Sequence, residues 1–113
     1  MDLHLSAAQA TDSEKAAIDA VLAAREPGDA LLERPEPRSR QHLLLPVLHA
    51  IQDRAGWISP GALNYAAFKL DVAPAEVHGV ASFYGMFSLV ERPAVVAHIC
   101  DDIACLARGA ERL

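Results

Sequence analysis

At 113 residues the chain has room for one domain, or for one small domain and part of a second. It is 52% hydrophobic, rich in alanine and leucine and poor in aromatics, a balance that favours helices over strands. The net charge of −5, with arginines scattered among acids and no polybasic run, excludes nucleic acid and anionic membrane surfaces as expected partners. No apolar run approaches the ~18–20 residues of a spanning helix, so no direct membrane insertion is expected. The opening MDLHLSAAQATDSEK has neither the basic start nor the apolar core of a secretory signal, and a cytoplasmic location follows as an expectation. In that reducing compartment Cys100 and Cys105, the two cysteines of the chain, are expected as thiols or metal ligands rather than a structural disulfide.

Residues 1–10 carry no clear signal. Thr11-Asp12-Ser13-Glu14 fits a capping box, and the spacing predicts a helix to about Arg25 with Ile18, Val21 and Leu22 on one face. That stripe is narrow, so the helix is expected to lie on another surface. Glu26-Pro27-Gly28-Asp29 ends it. Pro27, Pro35 and Pro37 mark a linker to Arg38, with room for a helical turn at Ala30–Leu32. The first unit is thus 1–38, an N-terminal helix and Pro-rich linker.

The second unit, 39–90, reads as a small helical bundle. Ser39 is a plausible N-cap, and Leu44, Val47, Leu48 and Ile51 recur at the spacing of a buried helix face. Pro46 either kinks this helix or marks its true first turn. Gly56 supplies a left-handed stop, after which Trp57 and Ile58 fold back as an apolar cover. Ser59-Pro60 restarts a helix as N-cap and first residue, with Leu63, Ala66, Ala67 and Leu70 apolar. Asp71-Val72-Ala73-Pro74 is the next turn. It opens a further helix with Glu76 in its first turn, Val77, Val80, Ala81 and Tyr84 along one side, and Phe83 and Phe87 on another. The expected core is Leu44, Leu48, Ile51, Leu63, Leu70, Val77 and Val80. A unit of roughly 50 residues is marginal by size alone and is expected to lean on another surface.

After Pro93 the period changes. Ala94-Val95-Val96-Ala97-His98-Ile99 is apolar on both faces, as a doubly buried strand is. Cys100-Asp101-Asp102-Ile103-Ala104-Cys105 follows, then a helix expected to begin near Cys105 and run through Leu106, Ala107 and Ala110. Strand, loop and helix make the first part of a βα unit, and a single strand needs neighbours for its backbone groups. The fold class expected is therefore mainly α, a small helical bundle followed by the first βα element of an incomplete domain at 91–113.

A C-x4-C pair between a strand and a helix can present two thiolates to an iron–sulfur cluster, with helix-terminal amides donating to the sulfurs. Against this stand two small buried cysteines of no chemical role. Zinc is a further option, although structural zinc takes four ligands and no second pair exists here. Asp101 and Asp102 read as solvated loop residues rather than an acid–base pair. His98, two residues before Cys100, hints at a mixed His/Cys site, but a histidine at the edge of a core is the favoured reading. His49 and His78 are polar helix positions or partner contacts. Phe83, Tyr84, Met86 and Phe87 read as packing between the helices and the strand.

LLPVLHAIQDRAGWIS, then APAEVHGVASFYGMFSL, then a strand leading into C-x4-C, resembles the small thioredoxin-like [2Fe–2S] subunit of NADH dehydrogenases, the respiratory complex I family. The gamma subunit of NAD-dependent formate dehydrogenases and the matching subunit of NAD-reducing hydrogenases share that pattern. The likeness covers about residues 39–113. It implies that 91–113 begins a thioredoxin-like domain and that Cys100 and Cys105 are the first two ligands of a [2Fe–2S] cluster. The other two, a later C-x3-C pair, are expected outside this chain or beyond residue 113. The resemblance implies an electron-transfer subunit, or its N-terminal part, without catalytic activity of its own. Its implied partners are a flavin- and NADH-binding subunit and other iron–sulfur subunits. The CDDIAC loop is more acidic than the Thr/Gly-containing loops of many members, and added negative charge lowers a cluster's potential.

Two readings from other classes stand beside it. Residues Ser59–Leu70 and Pro74–Tyr84 form a helix pair like a helix-turn-helix DNA-binding module, but the would-be recognition helix offers Glu76 and His78 and no Arg or Lys. A cluster-free assembly module of a redox complex is the third.

Overall fold

The computed structural model describes residues 7–25 and 40–113. The helix stop at Glu26–Asp29, the proline linker, the turn at Ala30–Leu32 and the Ser39 cap lie outside the described residues. The helices are α1 (Asp12–Arg25), α2 (Leu44–Ala55), α3 (Pro60–Leu70), α4 (Pro74–Phe83) and α5 (Ile103–Ala107), with 3-10 turns at Gln41–Leu43 and Ala110–Arg112.

The capping box at the start of α1 forms as expected. The Thr11 amide donates to Glu14 Oε2 at 2.8 Å, and the Glu14 amide returns to Thr11 Oγ1 at 3.3 Å. Ile18 and Leu22 are buried in the same apolar cluster as the other helices, with Val21 packed at its edge. The surface on which the narrow stripe of α1 lies is thus the bundle itself, chiefly α2 and to a lesser extent α3.

Pro46 falls in the first turn of α2, where its missing amide donor costs nothing, and no kink is needed. Leu44, Val47, Leu48 and Ile51 face inward. Gly56 closes the helix at φ 79°, its amide donating to the Gln52 carbonyl. Ile58 is buried and Trp57 half-buried, so the cover expected after the stop forms. Ser59 caps α3 by accepting from the Ala62 amide, with Pro60 at the first helical position. Asp71 ends α3 in the left-handed region at φ 54°, and Pro74 opens α4. All the expected core residues are buried except Val80, which packs partly buried against the cluster.

Glu14 does more than cap its own helix. Its Oε1 accepts from Ser59 Oγ at 2.6 Å, so one buried carboxylate joins the start of α1 to the start of α3. Burial works to raise its pKa. The donors Ser59 Oγ, Thr11 N–H and Thr11 Oγ1 outweigh that and hold it below the ordinary 4.5. A depressed carboxylate contributes stability that is present above its unfolded pKa and is lost as pH falls through the folded one. Glu14→Gln is therefore expected to cost ~1–3 kcal/mol at neutral pH and to flatten the loss of stability below about pH 4.5. Thermal melts of both proteins from pH 7 to pH 3 check this; parallel curves would remove Glu14 from the acid response.

A second tie comes from Gln52. Its amide nitrogen donates to the Gly56 carbonyl at 2.6 Å and its Oε1 accepts from the Ser88 amide at 2.9 Å. The Ile58 amide in turn donates to the Ser88 carbonyl at 2.7 Å. The segment after α4 is thereby laid back across the end of α2, burying Phe87 and Ser88.

Beyond Arg92 the packing ends. Residues 93–104 are all exposed, and the described residues contain no strand. The segment Ala94–Ile99, expected as a doubly buried strand, runs without regular structure, and Val95 is 88% exposed. The physical reason is the one that governs all isolated strands: without a neighbouring strand its ladder cannot form and its apolar faces have nothing to cover them. The described structure is helical, and the βα element is not formed in it.

Candidate functional site

Cys100 stands at the end of this irregular segment and Cys105 in the first turn of α5. This helix starts at Ile103, two residues earlier than expected, because Asp102 caps it: its Oδ1 accepts from the Ile103 amide at 2.8 Å. The Cys105 and Leu106 amides both donate to the Asp102 carbonyl at 2.9 Å. Asp102, expected as a solvated loop residue, is thus a helix cap. The signal that marks it is its residue type, since Asp is among the preferred N-cap residues.

The Asp102 backbone N–H and, second, the Cys105 thiol bear on the protonation of Cys100. Both donors favour a negative sulfur and hold the Cys100 pKa below that of an ordinary thiol. Cys100 in turn pushes the Cys105 thiol up. Cys100 is exposed and Cys105 partly so.

The neighbouring candidates are not drawn in. His98 is exposed on the irregular segment before Cys100. Among the described residues no three of His, Cys, Asp and Glu are gathered into a set for a metal ion. The donor set is two sulfurs on one turn, reinforced by a backbone amide. That suits one iron of a binuclear cluster and leaves the remaining ligands to be supplied from elsewhere.

Of the other singled-out residues, His49 and Tyr84 pack on Phe87, whereas Phe83 and Met86, expected as packing, stand exposed. His49 meets Phe87 edge to face at 5.0 Å between ring centres, Tyr84 meets Phe87 at 6.2 Å, and Phe83 meets Tyr84 at 5.0 Å. Of these rings Phe87 is buried, whereas Phe83 is exposed, as is Met86. His78 is exposed on α4. Among the described residues no helix is long and apolar enough to cross a membrane.

Comparison with known proteins places these features in a family. Residues 29–113 match the model of the thioredoxin-like [2Fe–2S] ferredoxin family. NADH-quinone oxidoreductase subunit 2 of Thermus thermophilus is 34% identical over 77 residues, covering 68% of this chain and 42% of that protein. The NADP-reducing hydrogenase subunit HndA of Solidesulfovibrio fructosivorans is 31% identical over 77 residues, 68% of this chain and 44% of its own length. The mitochondrial NADH dehydrogenase [ubiquinone] flavoprotein 2 of Dictyostelium discoideum is 32% identical over 82 residues, 72% of this chain and 33% of its own. The chain spans less than half the length of each of these three relatives.

Proposed function

The chain belongs to the thioredoxin-like [2Fe–2S] ferredoxin family, whose cofactor is a [2Fe–2S] cluster, and from that premise we propose that it is an electron-transfer component of an NAD(P)H-linked oxidoreductase complex. In this reading Cys100 and Cys105 hold one iron of the cluster, and two further thiolates come from a segment that this sequence does not contain. When bound, the cluster supplies one-electron transfer. The chain's own part is to position: Asp102 caps α5, and its backbone amide favours a negative Cys100 sulfur. The units proposed are the N-terminal helix and linker at 1–38, the bundle at 39–90 and the start of the thioredoxin-like domain at 91–113. The segment Ala94–Ile99 is the first strand of that domain once neighbouring strands are present. The bundle is the docking element toward a flavin- and NADH-binding subunit and other iron–sulfur subunits. The complex lies in the cytoplasm or on the cytoplasmic face of a membrane. The exposed acids Asp101 and Asp102 disfavour the reduced cluster.

The observation that carries this reading is the C-x4-C pair, Cys100 exposed and Cys105 partly so, set around the Asp102-capped start of α5 within the residues that the family model matches. The DNA-binding alternative has no comparable support: α4 presents no arginine or lysine, and its Glu76 is bonded to Gln41.

Anaerobic reconstitution with iron and sulfide tests the proposal. The 113-residue chain alone is expected to hold no stable cluster, because a binuclear centre needs four protein ligands and two cysteines are present. A longer chain carrying a second cysteine pair is expected to take up one cluster, read by absorbance and by EPR after reduction, and to lose it on Cys100→Ser or Cys105→Ser. A stoichiometric cluster in the short monomer would overturn the half-site. A longer form that stays colourless would overturn the role given to the cysteines.

A further inference from the structure

We propose that Asp102 is the positioning residue of the cysteine loop: its side-chain cap, rather than its charge, sets Cys105 for a metal, and its neighbour Asp101 takes no part. The four amides at the start of α5 belong to Ile103, Ala104, Cys105 and Leu106. Asp102 by itself satisfies three of them. Its Oδ1 accepts from the Ile103 amide at 2.8 Å, and its carbonyl accepts from the Cys105 and Leu106 amides at 2.9 Å. Its backbone stands at φ −63° and ψ 159°, the extended conformation of an N-cap. Asp101 is also exposed and acidic, yet it makes no hydrogen bond or ion pair among the described residues.

Little else holds this turn. A five-residue helix does not persist in water on propensity alone, because nucleation is costly and so short a helix gains few bonds in return. Packing, which supports most helices, is missing here: α5 contributes no buried residue, and residues 93–104 are exposed throughout. The cap therefore sets how often the turn that carries Cys105 is formed. A metal that needs both thiolates in one arrangement binds more weakly in proportion to how rarely that arrangement is populated. Charge acts differently. A carboxylate at 101 or 102 attracts a cation through solvent, where screening leaves only a small effect. The consequence for metal binding rests on the cluster-ligand reading proposed above, whereas the cap itself does not.

The test uses the 113-residue chain with two readouts: backbone NMR shifts of Ile103–Ala107 report α5, and titration with Co(II), followed by the thiolate-to-metal charge-transfer band, reports the thiols. Asp102→Ala and Asp102→Glu are expected to lose the helical shifts and to weaken Co(II) binding by roughly 3- to 30-fold, the range that a lost cap allows. Asn and Ser cap about as well as Asp, so Asp102→Asn and Asp102→Ser are expected to keep the shifts and to bind within about twofold of the native chain. Asp101→Asn is expected to match them. The melting temperature of the bundle is expected to stay unchanged in all five, because α5 buries nothing against it; a drop there would place Asp102 in the general fold and overturn the local role. Helical shifts that survive Asp102→Ala would overturn the cap. If Asp102→Asn or Asp101→Asn weakened Co(II) as much as Asp102→Ala, charge would govern and the proposal would fall. Lost shifts with unchanged Co(II) affinity would overturn the positioning of Cys105. A native chain with no more band than Cys100→Ser would sink the ligand reading and the metal consequence with it, an outcome told apart because the shifts would still follow the cap.

Discussion

Leu48→Ala is expected to destabilise the bundle by ~2–5 kcal/mol, the range for emptying a leucine site that cannot collapse. Leu48 has no exposed surface, and its neighbours along the inner face of α2, Leu44, Val47 and Ile51, are buried with it. α2 is also the element on which α1 rests, so a cavity there loosens two helices at once. Domains of this size have about 5 kcal/mol in hand, and each kcal/mol moves the melting temperature by roughly 4–8 °C. The variant is therefore expected to melt tens of degrees lower or to be unfolded at 25 °C. Phe68→Ala is the control. That ring is 80% exposed, and its loss is expected to change stability by no more than ~0.5 kcal/mol. Thermal melts followed by circular dichroism decide it: an unchanged transition for Leu48→Ala would remove Leu48 from the core.

Gly61→Ala is the case in which local and tertiary effects point in opposite directions. Gly61 lies in the first turn of α3, where helix propensity alone favours alanine by up to ~1 kcal/mol. Yet a Cβ there would stand 2.3 Å from the Gln9 carbonyl oxygen, 2.4 Å from its carbon and 2.6 Å from the Ala10 nitrogen. These are backbone atoms and cannot swing aside as a side chain can. The segment at 7–10 must lift off α3, or α3 must tilt, and overpacking of this kind costs ~1–3 kcal/mol. Residue Ala10, buried in the native protein, would be exposed, and the Glu14–Ser59 tie next to it would lengthen. The expected outcome is a lower melting temperature together with faster hydrogen exchange at Lys15, whose amide donates to Thr11. A variant that melts higher than the native protein would mean that propensity wins and that the close approach is unimportant.

The two variants separate what was legible in the sequence from what was not. Leu48 could be read from the i, i+3, i+4 recurrence of Leu44, Val47, Leu48 and Ile51, because a helix face is a local property of the chain. The same holds for the Thr11–Glu14 box, for the stop at Gly56, and for the restart at Ser59-Pro60. In each, the chemistry that forms the feature sits within four residues. The C-x4-C spacing is local in the same way, and what the fold adds there is the Asp102 cap that starts α5 between the two cysteines.

What only the tertiary structure decided involves partners far apart in the chain. Gly61 shows no turn requirement; its lack of a side chain matters because residues 9 and 10 cross over it. The buried Glu14 caps α1 by sequence, but its bond to Ser59 spans 45 positions, and the Gln52–Ser88 bond spans 36. Whether α1 joins the bundle could not be read from its narrow stripe, since that depends on the face α2 presents to it. The segment Ala94–Ile99 marks the same boundary from the other side. Its composition specifies a strand, but a strand is made by the backbone beside it, and among the described residues no neighbour is present to make it one.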